Sequence, residues 1–116
     1  SISHTSWVGA ALVGPPGGAH VGVDIEAVEE RAGSSVRATF TDDELALLPT
    51  DPATGELDPE WFTRGWSAKE VAAKVAGTGL SGRPKDFPIT AVDPAPEEAT
   101  DRDPTRYVLA RTDDVG

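Results

Sequence analysis

Apolar positions fall in short runs separated by breaker clusters, with one long exception. Residues 7–13 are apolar and β-prone, and Gly14-Pro-Pro-Gly-Gly18 ends the run. Residues 20–25 form a second run, and the five-residue breaker predicts an antiparallel hairpin between the two. Residues 31–35 read as a loop. Residues 40–48 read as a short helix: Thr41 or Asp42 can cap it, and Glu44 follows Thr41 by three, the spacing of a capping box. Residues 49–55 read as a loop. Asp58-Pro59 then places an N-cap aspartate before a proline at the first helical position. Ala68, Ala72, Ala73 and Ala76 carry that helix to about residue 76, where Gly77 and Gly79 end it. A loop over 79–88 leads to strands at 88–92 and 107–110. The order β-β-α-α-β-β predicts one α+β domain over residues 1–116, an antiparallel sheet with a long helix packed on it.

Length and charge narrow the function classes. The chain has 116 residues, enough for one small core. It lacks cysteine, so neither a disulfide nor a thiolate-metal site is available. No apolar run reaches the length of a membrane span or signal-peptide core, which predicts a soluble protein without a membrane partner. The start at Ser1 instead of Met, inside a strand-like stretch, fits a domain cut from a longer polypeptide, and processing would leave the same start. Net charge is −10, which excludes a basic nucleic-acid footprint. Part of the acidity lies in 93–103, where Asp93, Glu97, Glu98, Asp101 and Asp103 face only Arg102. That Pro-rich stretch reads as a solvated loop.

Candidate chemistry lies in two short motifs. In Val21-Gly-Val-Asp-Ile-Glu26, strand alternation puts Asp24 and Glu26 on one face. Adjacent carboxylates raise each other's pKa, and a divalent cation relieves that repulsion. Oxygen donors without a Cys or His cluster select a hard ion such as Mg²⁺. Taken alone, the motif also fits the solvated face of an edge strand, the commoner case. In Trp66-Ser-Ala-Lys-Glu-Val-Ala-Ala-Lys74, Glu70 and Lys74 are i,i+4, with Trp66 one turn earlier on the same stripe. On a generic helix that pair is a surface ion pair worth about 0.3–0.5 kcal/mol. If Glu70 faces Asp24 and Glu26, the three carboxylates make a metal site with Lys74 beside it for phosphate. Lys69, about 100° round the helix from Glu70, is placed to reach the rim. A third element is Ser1-Ile-Ser-His-Thr5, where His4 can donate to a phosphate or bond locally at a strand end. His20, beside the Gly-rich turn, reads as an exposed loop residue.

These segments together resemble the 4′-phosphopantetheinyl transferases. The order is Ser-x-Ser-His-Thr at 1–5, Gly-x-Asp-x-Glu at 22–26, Phe-Thr-x-x-Glu at 40–44 and Trp-Ser-x-Lys-Glu-x-x-x-Lys at 66–74. The resemblance covers roughly residues 1–80. It implies transfer of the phosphopantetheine arm of coenzyme A to a serine of an acyl or peptidyl carrier protein, with adenosine 3′,5′-bisphosphate as the other product. It implies Mg²⁺ held by Asp24, Glu26 and Glu70 against the coenzyme A pyrophosphate. Lys74, with Lys69, would neutralise the phosphates, and His4 would contact one. Glu70, or a water on the metal, would take the proton of the carrier serine. A carboxylate beside a cation is expected to have a low pKa, which makes Glu70 a weak base. Trp66 would pack and support the helix.

The pattern departs from the family in instructive ways. The Ser-x-Ser-His segment belongs to the larger, surfactin-synthetase type, built of two similar halves, and this chain resembles only the second half. Ala76-Gly-Thr-Gly79 instead resembles the small trimeric type. A half-size or excised domain is implied, from a cytoplasmic polyketide or fatty-acid megasynthase. Its active site would need another copy, as a dimer or trimer, or an upstream half. An acidic carrier would need a local basic surface, for which Arg31, Arg37, Arg64, Arg83 and Lys85 are candidates. Two other readings stand beside the transferase. One is a non-catalytic docking or oligomerisation module of the same fold, which has no need of the charged set. The other is an unrelated acidic Mg²⁺- or Ca²⁺-binding domain, for which no EF-hand spacing exists here.

Overall fold

A computed structural model describes residues 1–14, 16–17, 21–30, 32–80, 83–92 and, for the backbone, 108–110. The chain is α+β. Its elements are β1 (Ile2–His4), β2 (Gly9–Ala11), α1 (Gly33–Thr39), α2 (Asp42–Leu47), α3 (Pro59–Ala76), a 3₁₀ turn at Pro84–Asp86, β3 (Ile89–Val92) and β4 (Val108–Ala110). The strands form two antiparallel pairs, β1 with β2 and β3 with β4. His20, Arg31, Pro15 and Gly18 of the breaker, the acidic stretch 93–103 and Tyr107 lie outside the described residues.

The expected hairpin forms with different partners. Residues 9–11 pair back onto 2–4, in the register Ile2↔Ala11, Ser3↔Ala10 and His4↔Gly9. Thr5 closes the turn: its N–H donates to the Val8 carbonyl at 2.7 Å, and its Oγ1 accepts from Val8 N–H at 3.2 Å. A loop this short costs less closure entropy than one across the Gly-Pro cluster. Residues 21–25 of the segment expected as the second strand run beside β1 without a backbone ladder. The N–H groups of Val23 and Ile25 donate instead to the hydroxyls of Ser1 and Ser3, each at 3.0 Å.

Residues 33–35 are helical, against the expected loop. Gly33-Ser-Ser has poor helix propensity, and tertiary packing outweighs it. Val36 packs on the core, Thr39 is buried, and Thr39 Oγ1 donates to the Ser35 carbonyl at 2.8 Å. The other helices begin as their caps dictate. Thr41 and Glu44 form a reciprocal capping box at α2. Asp58 Oδ1 accepts from Glu60 N–H at 2.8 Å to start α3, and Gly77, at φ 79°, ends it in the left-handed conformation.

Phe40, Leu48, Trp61, Phe62 and Ile89 form the main core, and Ala72, Ala73, Leu80 and Phe87 a second cluster. Trp66 packs against both. Phe40 meets Phe62 edge to face at 5.4 Å between centroids. It lies so close to α3 that a Cβ on Gly65 would come within 2.7 Å of its ring.

Lys69 and Glu44 join the layers from inside. Lys69 is fully buried. Its Nζ meets Glu44 Oε2 at 2.6 Å and donates to the carbonyls of Pro84 and Phe87, each at 2.9 Å. Glu44 Oε2 also accepts from Ile89 N–H at 2.7 Å, while Oε1 accepts from Thr41 N–H at 2.9 Å. Burial pulls the Lys69 ammonium below the usual lysine range, and Glu44 opposes that shift. Lys69→Met is expected to cost about 3–5 kcal/mol in chemical denaturation, because it strands a buried carboxylate. Adding Glu44→Leu recovers only part, since the N–H groups of Thr41 and Ile89 lose their acceptor.

Candidate functional site

The stripe of α3 opposite Lys69 carries Ser67, Glu70 and Lys74, spaced three and four residues apart. The segment 21–26 lies across this stripe, and Gly22 permits the approach. A Cβ there would meet the Val71 carbonyl at 3.0 Å, Lys74 Cβ at 3.2 Å and Val75 Cγ2 at 3.2 Å. With no side chain at 22, the backbone sits on the helix and Asp24 points into it.

Asp24 is the centre of the arrangement. Its side chain is only 4% exposed. Oδ2 accepts from Ser67 Oγ at 2.9 Å, and Oδ1 accepts from Ser3 Oγ at 3.2 Å and Lys74 Nζ at 3.4 Å. Lys74 also donates to the carbonyls of Val23 at 2.7 Å and Ile2 at 3.4 Å. Glu26 lies within hydrogen-bond reach of Asp24 and accepts from the Trp66 indole. Burial, then Asp24, raises the Glu26 carboxyl above its usual range; the indole opposes this and Glu70 adds to it. Burial and then Asp24 also raise Glu70, against the pull of Lys74. The low pKa expected for Glu70 beside a metal ion belongs to the loaded site; in the chain alone the shift is upward. Burial and a like charge outweigh the one ammonium.

The structure thus brings Asp24, Glu26, Glu70 and Lys74 together. Among the described residues, no three carboxylate or imidazole groups close into a ready-made ion cage. The donor chemistry nonetheless fits a hard divalent ion: carboxylates only, mutually repelling, with a lysine supplying part of the missing positive charge. A groove of about 270 Å³ opens beside Asp24 and Glu26, lined also by Val28, Thr63, Arg64 and Ser67.

Two expected contributors stand elsewhere. Lys69 does not reach the rim: its ammonium is spent in the core on Glu44 and two carbonyls. His4 is exposed at the end of β1, with Nδ1 3.3 Å from the Thr5 carbonyl. Ser3 and Ser67 reach Asp24 and were left out of the sequence reading, and Trp66, read there as a packing residue, also bonds Glu26. Their only signal was membership of the recurring motifs. The basic candidates are divided as well. Arg64 pairs with Glu60 at 3.6 Å and stacks over Trp61, and Arg83 pairs with Asp86 at 2.8 Å.

Two outcomes follow from this geometry. Both glutamates have raised pKa values, so the native state holds protons that the unfolded chain has lost. Their stabilising contribution is complete below the ordinary value of 4.5 and is lost as pH rises through the raised values. In metal-free buffer, a Glu26→Gln/Glu70→Gln variant is expected to melt above the parent at neutral pH, with the gap closing towards pH 4.5; thermal melts across that range check this. Gly22→Ala is expected to push 21–26 off α3 and cost about 1–3 kcal/mol by urea denaturation.

Neither the curated proteins nor the solved structures gave a match. The family comparison did: residues 20–112 match the 4′-phosphopantetheinyl transferase superfamily. That span holds both the acidic motif at 22–26 and the Glu70/Lys74 helix, and it covers most of the chain, which therefore belongs to the 4′-phosphopantetheinyl transferase superfamily.

Proposed function

We propose that this domain transfers the phosphopantetheine arm of coenzyme A to a serine of an acyl or peptidyl carrier protein. The observation that carries the reading is convergence: Asp24 and Glu26, on an extended segment, meet Glu70 and Lys74 of α3 some fifty residues away. An oligomerisation or docking module has no use for three crowded carboxylates and a lysine.

Asp24, Glu26 and Glu70 would hold Mg²⁺. When bound, the ion supplies charge neutralisation for the pyrophosphate. Lys74, a quarter exposed, has one edge free to turn from its carbonyls towards phosphate. His4, exposed at the hairpin end, contacts a second phosphate. The carrier serine Oγ attacks the phosphorus that bears the arm. A P–O bond forms, the bond to the nucleotide phosphate breaks, and adenosine 3′,5′-bisphosphate leaves. Glu70 is the carboxylate that takes the serine proton in this reading. Lys69 acts at a distance by fixing the rotation of α3.

The partner readings rest on surface chemistry. Arg37, Arg83 and Lys85 are exposed cations suited to an acidic carrier. The β1–β2 hairpin exposes Ile2 and Trp7, at 75% and 84%, and Val13 just after it is 91% exposed; a second half of the enzyme would pack on these apolar residues. No helix among the described residues is long and apolar enough to cross a membrane.

Incubation with a carrier protein, coenzyme A and Mg²⁺ is expected to add the mass of the phosphopantetheine arm to the carrier, read by intact-mass spectrometry. Glu70→Gln is expected to slow the transfer by about 10²–10⁴-fold. Absence of any adduct, from this domain and from a longer chain that includes it, overturns the reading.

A further inference from the structure

Asp24 has a feature that the transferase reading does not use. Both of its oxygens are held by serine hydroxyls that come from opposite sides. Ser67 Oγ, on α3, donates to Oδ2 at 2.9 Å. Ser3 Oγ, on β1, donates to Oδ1 at 3.2 Å while accepting from Ile25 N–H at 3.0 Å. The terminal torsion of an aspartate is intrinsically broad, so the side chain alone does not set the plane of its carboxylate.

Ser67 departs from the usual behaviour of a helical hydroxyl. Such groups commonly bond back to the carbonyl four residues earlier. Thr63, one turn before, does this with Pro59 at 2.9 Å, and Thr39 does it with Ser35 at 2.8 Å. Ser67 instead reaches across to residue 24. Ser3 lies outside the span of the family match, yet it touches both the backbone of the acidic motif and its central carboxylate.

We infer that Ser3 and Ser67 form a two-sided clamp that sets the plane of the Asp24 carboxylate, and that both are positioning residues for the reaction. The inference rests on the reading of Asp24 as a metal ligand. Hydrogen bonds that orient a ligand carboxylate typically change metal affinity by 10–100-fold when removed. The N-terminal hairpin thereby becomes part of the site's architecture, apart from any contact made by His4.

The test is a Mg²⁺ titration at fixed coenzyme A, followed by thermal shift, with the Mg²⁺ dependence of turnover measured alongside. Ser67→Ala and Ser3→Ala are each expected to raise the half-saturating Mg²⁺ concentration about 10-fold, with kcat retained at saturating Mg²⁺. Ser67→Thr, which keeps the hydroxyl, is expected to restore the parental value. A purely structural serine would lower the melting temperature and leave the half-saturation point unmoved. Unchanged half-saturation in both alanine variants, while Asp24→Asn abolishes the Mg²⁺ response, overturns the clamp alone. An intact Mg²⁺ response in Asp24→Asn overturns the metal reading itself, and the clamp with it.

Discussion

The buried pair of Glu44 and Lys69 is the constraint on which the rest of the structure depends. Glu44 caps α2 with one oxygen and holds β3 and Lys69 with the other. Lys69 in turn ties α3 to the carbonyl that opens the 3₁₀ turn and to the one just past its end. Four elements therefore share one charged node. A buried pair of this kind is weak evidence for added stability, because desolvation offsets much of the attraction. What it supplies here is orientation. With Lys69 locked inward, the helical repeat of about 100° per residue turns Ser67, Glu70 and Lys74 to the other side.

That outer stripe is completed by a segment with little regular structure of its own. Residues 21–26 have no backbone ladder, and their N–H groups lean on serine hydroxyls. Gly22 lets them lie on α3 at a distance no side chain would allow. The result brings three carboxylates together at an energetic cost, partly offset by Lys74. The raised pKa values of Glu26 and Glu70 record that cost.

Local chemistry was legible in the residues themselves. The Thr41/Glu44 box, the Asp58-Pro59 start and the Gly77 stop each involve partners within four residues, and each formed as expected. The stripe through Trp66, Glu70 and Lys74 follows from the helical period once that helix is fixed. The order of the motifs then pointed to the family. Elsewhere, local signals misled. Gly33-Ser-Ser looks like a loop and is helical because Val36 and Thr39 are buried. Residues 9–11 chose the nearer partner strand.

Lys69 marks the boundary between the two kinds of information most clearly. From spacing alone it stands beside Glu70, and its long side chain has the reach for either side of the helix. Only the folded chain puts Glu44, Pro84 and Phe87 within its reach and removes it from the phosphate side. The same holds for Ser3 and Ser67, whose importance comes from Asp24, a residue 21 and 43 positions away. The sequence by itself determined the caps, the helical period and the set of charges available. Tertiary structure decided which of those charges meet, because hydrogen bonds between distant segments depend on packing that no local pattern encodes.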